Sequence, residues 1–210
     1  MKNLGYFRFP TIHKNHLVFV SEDDLWSYDI ASEKLNRLTS NYGAVSTPKI
    51  SPDGKSIAFI GSDDGDLEVY VMPSAGGPAK RLTYFGSMII KVVGWKNNNE
   101  ILFASSHGMP FPRMSDIYAV NLKGEFPTCF SFGMGSDIAF GDSSVILGKN
   151  TADPAHSGSI VLNSVDNVAS DFVFIRARNG EFNYSENPSF ISGSTGEVLY
   201  DAFINAPQTF

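Results

Sequence analysis

Segments of this chain return at intervals of about 44 residues, and that period restricts the fold more than any other feature of the sequence. Arg37-Leu38-Thr39-Ser40 recurs 44 residues later as Arg81-Leu82-Thr83-Tyr84. Leu25-Trp26-Ser27-Tyr28-Asp29-Ile30 has counterparts in Glu68-Val69-Tyr70-Val71-Met72-Pro73 and Asp116-Ile117-Tyr118-Ala119-Val120-Asn121, within a few residues of the same spacing. An apolar run precedes each: Leu17-Val18-Phe19-Val20, Ile57-Ala58-Phe59-Ile60 and Ile101-Leu102-Phe103-Ala104, with a further run at Val145-Ile146-Leu147. Runs this short suit strands, and a unit of about 40–50 residues holding three or four of them is the pattern of a β-propeller blade.

Turn chemistry supports strands on both sides of each break. Ser51-Pro52-Asp53-Gly54 combines a residue with preset φ, a side chain that bonds its own backbone and a residue that accepts positive φ, so it predicts a hairpin. Lys96-Asn97-Asn98-Asn99 occupies the equivalent place one unit later, with Asn expected to take the left-handed conformation. Ala75-Gly76-Gly77-Pro78 and Leu122-Lys123-Gly124-Glu125 are expected to join the third and fourth strands of their units. The content of 17 Phe, 8 Tyr, 19 Gly and 11 Pro favours strands and tight turns over helices. The expected fold is all-β, a partial β-propeller of about three four-stranded blades followed by a short β-rich tail.

Charge and composition narrow the partners. Sixteen basic against 22 acidic residues give a net charge of −6 with no basic cluster, which argues against nucleic acid. No stretch approaches the ~18 uninterrupted apolar residues of a membrane helix, so no membrane partner is expected. The single cysteine, Cys129, excludes an internal disulfide and a cysteine zinc knuckle.

Gly193-Ser194-Thr195-Gly196 and Gly135-Ser136-Asp137 fail the spacing of a nucleophile elbow and read as turns. Gly148-Lys149-Asn150 lacks the Ser or Thr that would hold magnesium in a phosphate loop. His13 and His16 flank Lys14-Asn15 and would face each other across a two-residue hairpin, but a metal needs a third ligand and His107 and His156 are remote. Asp63-Asp64-Gly65-Asp66 with Glu68 misses the calcium-loop spacing and reads as a solvated loop. Trp26, Tyr28, Tyr70 and Tyr118 fall at what read as corresponding blade positions, explained by packing between sheets, with peptide binding as the alternative. No catalytic, cofactor-binding or metal residue is assigned, and no cofactor is expected.

The ordered succession Gly5-Tyr6-Phe7-Arg8-Phe9-Pro10, Glu22-Asp23-Asp24-Leu25-Trp26, Arg37-Leu38-Thr39-Ser40-Asn41 and Ile50-Ser51-Pro52-Asp53-Gly54 resembles the N-terminal propeller of tricorn-type proteases. Val69-Tyr70-Val71-Met72-Pro73 with Arg81-Leu82-Thr83-Tyr84, Phe103-Ala104-Ser105 with Pro110-Phe111-Pro112, and Leu147-Gly148-Lys149-Asn150-Thr151 continue the resemblance, which covers about residues 5–156. The Ser-Pro-Asp-Gly element alone is shared with TolB-like propellers. The resemblance implies a non-catalytic module of a cytoplasmic, hexameric serine peptidase that degrades oligopeptides. Its catalytic Ser and His would lie in C-terminal domains, so the chain belongs to an endopeptidase only as part of a longer one. It also implies a six-bladed ring, which at ~45 residues per blade needs ~270 residues. The module would gate substrate or bind a peptide or protein partner, with self-association through open blade edges. Basic residues that hold a substrate carboxylate are expected after Tyr84-Phe85, where this sequence reads Gly86-Ser87-Met88-Ile89-Ile90.

Residues 160–210 are different in character. Phe172-Val173-Phe174-Ile175-Arg176-Ala177-Arg178-Asn179, Glu181-Phe182-Asn183-Tyr184-Ser185 and Asn187-Pro188-Ser189-Phe190 resemble a segment of tailed-phage virion structural proteins. The expected organisation is therefore a propeller part at 1–156, a linker-like junction at Ser157-Gly158-Ser159 and a β-rich segment at 160–210. The alternative functions are a virion structural or assembly protein, located in the virion, or an artificial fusion.

Overall fold

Alternation at period two gives every apolar run two chemically different faces. The computed structural model describes residues 6–63, 65–110, 114–130 and 135–140, and beyond them the strands at 144–149, 159–164, 172–176, 185–190 and 198–202. No helix occurs among the described residues, and so none is long and apolar enough to cross a membrane. The first blade is the antiparallel sheet β1 (Arg8–His13), β2 (His16–Ser21), β3 (Asp24–Asp29) and β4 (Lys34–Arg37), in that spatial order. The second is β5 (Ser46–Ile50), β6 (Ser56–Gly61), β7 (Glu68–Pro73) and β8 (Lys80–Arg81). The third is β9 (Ile90–Asn97), β10 (Glu100–Ser105), β11 (Asp116–Asn121) and β12 (Thr128–Cys129).

A β-rich remainder follows these three blades. It forms the four-stranded sheet β13 (Asp137–Phe140), β14 (Ser144–Lys149), β15 (Ser159–Ser164) and β16 (Phe172–Arg176), then the pair β17 (Ser185–Phe190) and β18 (Val198–Ala202). Of the expected junction, Ser157 and Gly158 lie outside the described residues, whereas Ser159 opens β15 and pairs with Lys149 of β14.

Register makes the repeat physical. Phe19 pairs with Trp26, Phe59 with Tyr70 and Phe103 with Tyr118; two pairs further along, on the same face, are Leu17 with Tyr28, Ile57 with Met72 and Ile101 with Val120. Trp26, Tyr70 and Tyr118 are thus equivalent. Tyr28 is not their counterpart but that of Met72 and Val120. These residues make the bulky, aromatic face of each blade, and the alternate residues make a smaller aliphatic one. Val18, Val20 and Leu25 of the first blade bury against Ile57, Phe59, Tyr70 and Met72 of the second. Ala58, Ile60 and Val69 of the second bury against Trp95, Ile101, Phe103 and Val120 of the third. Leu102, Ala104, Ile117 and Ala119 of the third bury against Ile138 of β13. At about 1.5–3 kcal/mol per large side chain removed from water, these seams supply the main cohesion of the stack.

The repeated Arg-Leu-Thr is a hydrogen-bonded lock. In the first blade Asp24 accepts from Thr39 Oγ1 at 2.9 Å and pairs with Arg37, while Thr39 Oγ1 accepts from Leu25 N at 2.8 Å and Thr39 O from Arg37 Nε at 3.0 Å. The second blade repeats it with Glu68, Thr83 and Arg81: Thr83 donates to Glu68, Val69 N donates to Thr83 Oγ1 at 2.9 Å, and Arg81 Nε donates to Thr83 O at 2.9 Å. Leu38 and Leu82 N bond across to Leu25 and Val69 O at 2.7 and 2.8 Å, and Phe130 N does the same to Ile117 O at 2.7 Å. Cys129 therefore stands in the third blade where Arg37 and Arg81 stand in the others, opposite Tyr118.

The hairpins follow local chemistry with one departure. Glu22 and Asp23, at φ 51° and 64°, close β2 onto β3, both central residues taking positive φ as a tight two-residue turn requires. Gly54 at φ 76° completes the Ser51 to Lys55 turn, in which Asp53 Oδ1 accepts from Ser51 Oγ at 2.7 Å and Lys55 N at 3.1 Å. None of Asn97, Asn98 and Asn99 takes the positive φ expected of them. Asn97 Oδ1 instead accepts from Asn99 N at 2.8 Å, so the side chain closes the turn without a left-handed residue.

Candidate functional site

The first strands of successive blades, β1, β5, β9 and β13, lie side by side and carry the densest group of polar contacts between blades. Each such strand has a free inner edge whose backbone groups need partners. Thr47 Oγ1 accepts from Val92 N at 3.1 Å, Trp95 Nε1 donates to Lys49 O at 2.9 Å, and Thr11 Oγ1 accepts from Ile50 N at 3.4 Å. On this frame stand three charges. Lys91 Nζ donates to Asp137 Oδ1 at 2.8 Å and Oδ2 at 2.9 Å, and the Asp137 side chain is only 3% exposed. Lys49 joins them from β5, and burial pushes its ammonium below the usual lysine range, opposed by attraction to Asp137 and assisted by repulsion from Lys91.

This has a consequence for stability. Because the folded state disfavours the charged amine, the penalty is complete below the folded value and is relieved as pH rises from there toward the ordinary 10.5. Lys49→Met should therefore raise the thermal midpoint at neutral pH and lose its advantage over the parent as pH approaches 10.5. A pH series of thermal melts on both proteins measures it.

A second cluster lies at the ends of the second and third blades. Phe85 stacks on His107 with centroids 3.9 Å apart and meets Tyr118 and Phe126 at 5.3 and 5.8 Å. Tyr118 donates its hydroxyl to His107 O at 2.9 Å. Phe126, Tyr84 and Met88 are exposed around it, with Arg81 over the Tyr84 ring at 4.4 Å.

The residues singled out from sequence fall as follows. His13 pairs with His16 across the Lys14-Asn15 turn, and no group of three or more metal-ligating side chains occurs among the described residues. Glu68 does not belong to a solvated loop with Asp63 and Asp66: it is fully buried in the second blade's lock, while Tyr70 donates to Asp63. Gly86 and Ser87 have structural partners, Gly86 N donating to Glu68 Oε1 at 2.8 Å and Ser87 Oγ lying 2.7 Å from Ser105 Oγ. Gly193 to Gly196, Asn150, His156 and Asn183 lie outside the described residues. Lys49 and Lys91 carry no motif, and Asp137, read within the Gly135-Ser136-Asp137 turn, instead opens β13 and pairs with Lys91. Their only signal was a charged residue near the start of successive repeats.

Residues 4–157 match the family model described as the tricorn protease N-terminal beta propeller domain. The chain is 35% identical over 155 residues to a protein described as a tricorn-like protease N-terminal subunit of Sulfurisphaera tokodaii, covering 71% of this chain and 77% of that one. It is 37% identical over 143 residues to tricorn protease homolog 1 of Streptomyces coelicolor, covering 68% of this chain but 13% of the relative. The crystal structure of the tricorn protease superposes with a TM-score of 0.74 at 24% identity, over 90% of this chain and 20% of that one.

Proposed function

This chain belongs to the family of tricorn protease N-terminal β-propeller domains, and from that premise we propose that it serves a tricorn-type serine peptidase as a non-catalytic module that binds or gates peptides in oligopeptide degradation. The carrying observation is the charged group on the inner strands, Lys49 beside the Lys91–Asp137 pair, in a chain of this family. A partly buried ammonium without a bidentate carboxylate of its own suits an anionic group on a passing peptide. The virion reading is not favoured by a family match that spans residues 4–157. In this proposal residues 1–156 are the module proper and 160–210 a separate β-rich segment whose first strands complete the fourth sheet. We place the protein in the cytoplasm with the peptidases it resembles.

The test is fluorescence anisotropy with labelled acidic oligopeptides, alongside turnover of fluorogenic peptides. Binding should weaken about tenfold in Lys49→Glu, equivalent to about 1.4 kcal/mol, and weaken with added salt. Fluorogenic peptides should remain uncut. Binding that is indifferent to Lys49→Glu removes the inner-strand site, and turnover that vanishes on replacing one particular serine shows a nucleophile within the chain.

A further inference from the structure

We infer that Lys49 is a nucleophilic amine that takes up a 2-oxo acid as an imine, with the acid's carboxylate held by Lys91. The backbone aims the side chain. The pairing of β5 with β6 slips between Ser46 and Lys49, and Thr47, inside the slip, takes φ 45°. Bulges of this kind re-aim a side chain and recur beside functional sites. β1 repeats the slip between Arg8 and Thr11, with Phe9 at φ 51°. By register Thr11, Lys49 and Gly94 hold one position in the three blades, so only the second blade puts an amine there. Thr47 Oγ1 accepts from Val92 N and Lys49 O from Trp95 Nε1, which pins this stretch of β5 to β9.

The charges around it are unequal. Asp137 turns both oxygens to Lys91, and among the described residues the Lys49 side chain makes no hydrogen bond or ion pair. Two lysines therefore share one carboxylate. The neighbouring strands β1 and β2 bring Arg8, His13 and His16 and β6 brings no charge, but Asp137 and Lys91 are the groups whose charge acts on Lys49. Burial makes Lys49 give up its proton more readily than an exposed lysine does, opposed by attraction to Asp137 and assisted by repulsion from Lys91. A desolvated amine beside a second ammonium is an arrangement that activates lysine toward a carbonyl carbon. Lys49 is half-buried and not sealed in the core. The trio lies wholly within this chain, so the site does not depend on what covers the faces of the blades.

The ligand follows from the charge count. In the step, the Lys49 Nζ lone pair adds to the carbonyl carbon, both amine protons pass to the carbonyl oxygen, and that oxygen leaves as water as the C=N bond forms. Nothing is oxidised or reduced. Lys91 has three N–H donors and Asp137 takes two of its bonds, which leaves one for a ligand carboxylate. Once the imine takes up a proton, iminium and Lys91 balance Asp137 and the bound carboxylate. A neutral aldehyde would leave one positive charge unpaired, and carbon dioxide, added as a carbamate, would leave one negative charge over. This inference does not rest on the peptide-binding proposal, since peptide binding uses the protonated Lys49 and imine formation the neutral one.

The test is incubation with pyruvate and cyanoborohydride, which reduces the imine to a stable secondary amine, followed by peptide mass mapping of the modified lysines. Lys49 is expected to be the first lysine modified, ahead of the exposed Lys14, Lys34, Lys55 and Lys96. Its rate should level off at lower pH than theirs, because its ammonium loses the proton sooner. Methyl pyruvate, which keeps the carbonyl but carries no charge, should lose the preference for Lys49. The Lys49→Arg variant should lose the fast phase of labelling and keep the slow one. Labelling of Lys49 no faster than the exposed lysines, labelling of Lys91 in its place, or an equal preference with the ester overturns the inference. Acidic peptides that bind a protein whose Lys49 stays unmodified overturn it and leave the peptide proposal standing. Lys49 modified in a protein that binds no acidic peptide does the reverse.

Discussion

Replacing Phe59 by alanine is expected to destabilise the protein by about 3–5 kcal/mol. Its ring is fully buried, lies parallel to Tyr70 at 5.7 Å, meets Tyr42 edge-on at 6.0 Å, and belongs to the seam with Val18, Val20 and Leu25. Removing it opens a cavity between two sheets that are each held by their own backbone ladders, so neither can collapse inward to refill the space. Chemical denaturation should show the midpoint fall. Asp53→Ala is the matched comparison, because Asp53 is exposed and its side chain bonds only to Ser51 and Lys55 of its own hairpin, while its backbone bond to Asn98 survives the substitution. It should leave the midpoint nearly unmoved near neutral pH. Hydrogen bonds from Ser51 and Lys55 hold its carboxyl below the ordinary 3.8, so whatever it contributes is present above that value and lost as pH falls through the folded one. Equal tolerance of the two substitutions would show that Phe59 does not sit in a seam.

Glu68→Ala should be comparably costly, about 3–5 kcal/mol, for a different reason. Glu68 is 0% exposed and serves three donors: Thr83 Oγ1, Gly86 N at 2.8 Å and the Arg81 guanidinium at 3.4 Å. Truncation leaves the Arg81 side chain, itself 17% exposed, without the carboxylate it faces. The same substitution in the first blade, Asp24→Ala, should cost less, about 1–3 kcal/mol, because the side chain of its partner Arg37 is 53% exposed and water replaces the lost contact. Denaturation of the two variants side by side measures the difference. Asp24→Ala proving the more damaging would mean that burial of the arginine does not set the value of the lock.

The tertiary structure also sorts the aromatic residues into unequal environments. Tyr70 is buried in a seam, and Trp26, its exact equivalent by register, sits on a face that no other sheet covers among the described residues. Both hold the same repeat position, so position in the repeat does not separate them. Their neighbours do.

What the sequence determined by itself was local and periodic. Alternation in Leu17 to Val20, Ile57 to Ile60 and Ile101 to Ala104, with Ser51 to Gly54 at a break, specified strands, a hairpin and a unit of about 44 residues, because period-two patterning and turn φ are properties of adjacent residues. The family resemblance was legible for the same reason, since it rests on short segments in order. Only the tertiary structure decided the rest. Glu68 reads as part of an acidic loop until strand pairing brings it under Thr83 and Arg81, and nothing in the sequence joins Lys49 and Lys91 to Asp137 until β5, β9 and β13 are laid side by side. Those contacts join residues 13 to 46 positions apart, and their energy depends on which groups lose water together, a quantity that no window of neighbouring residues contains.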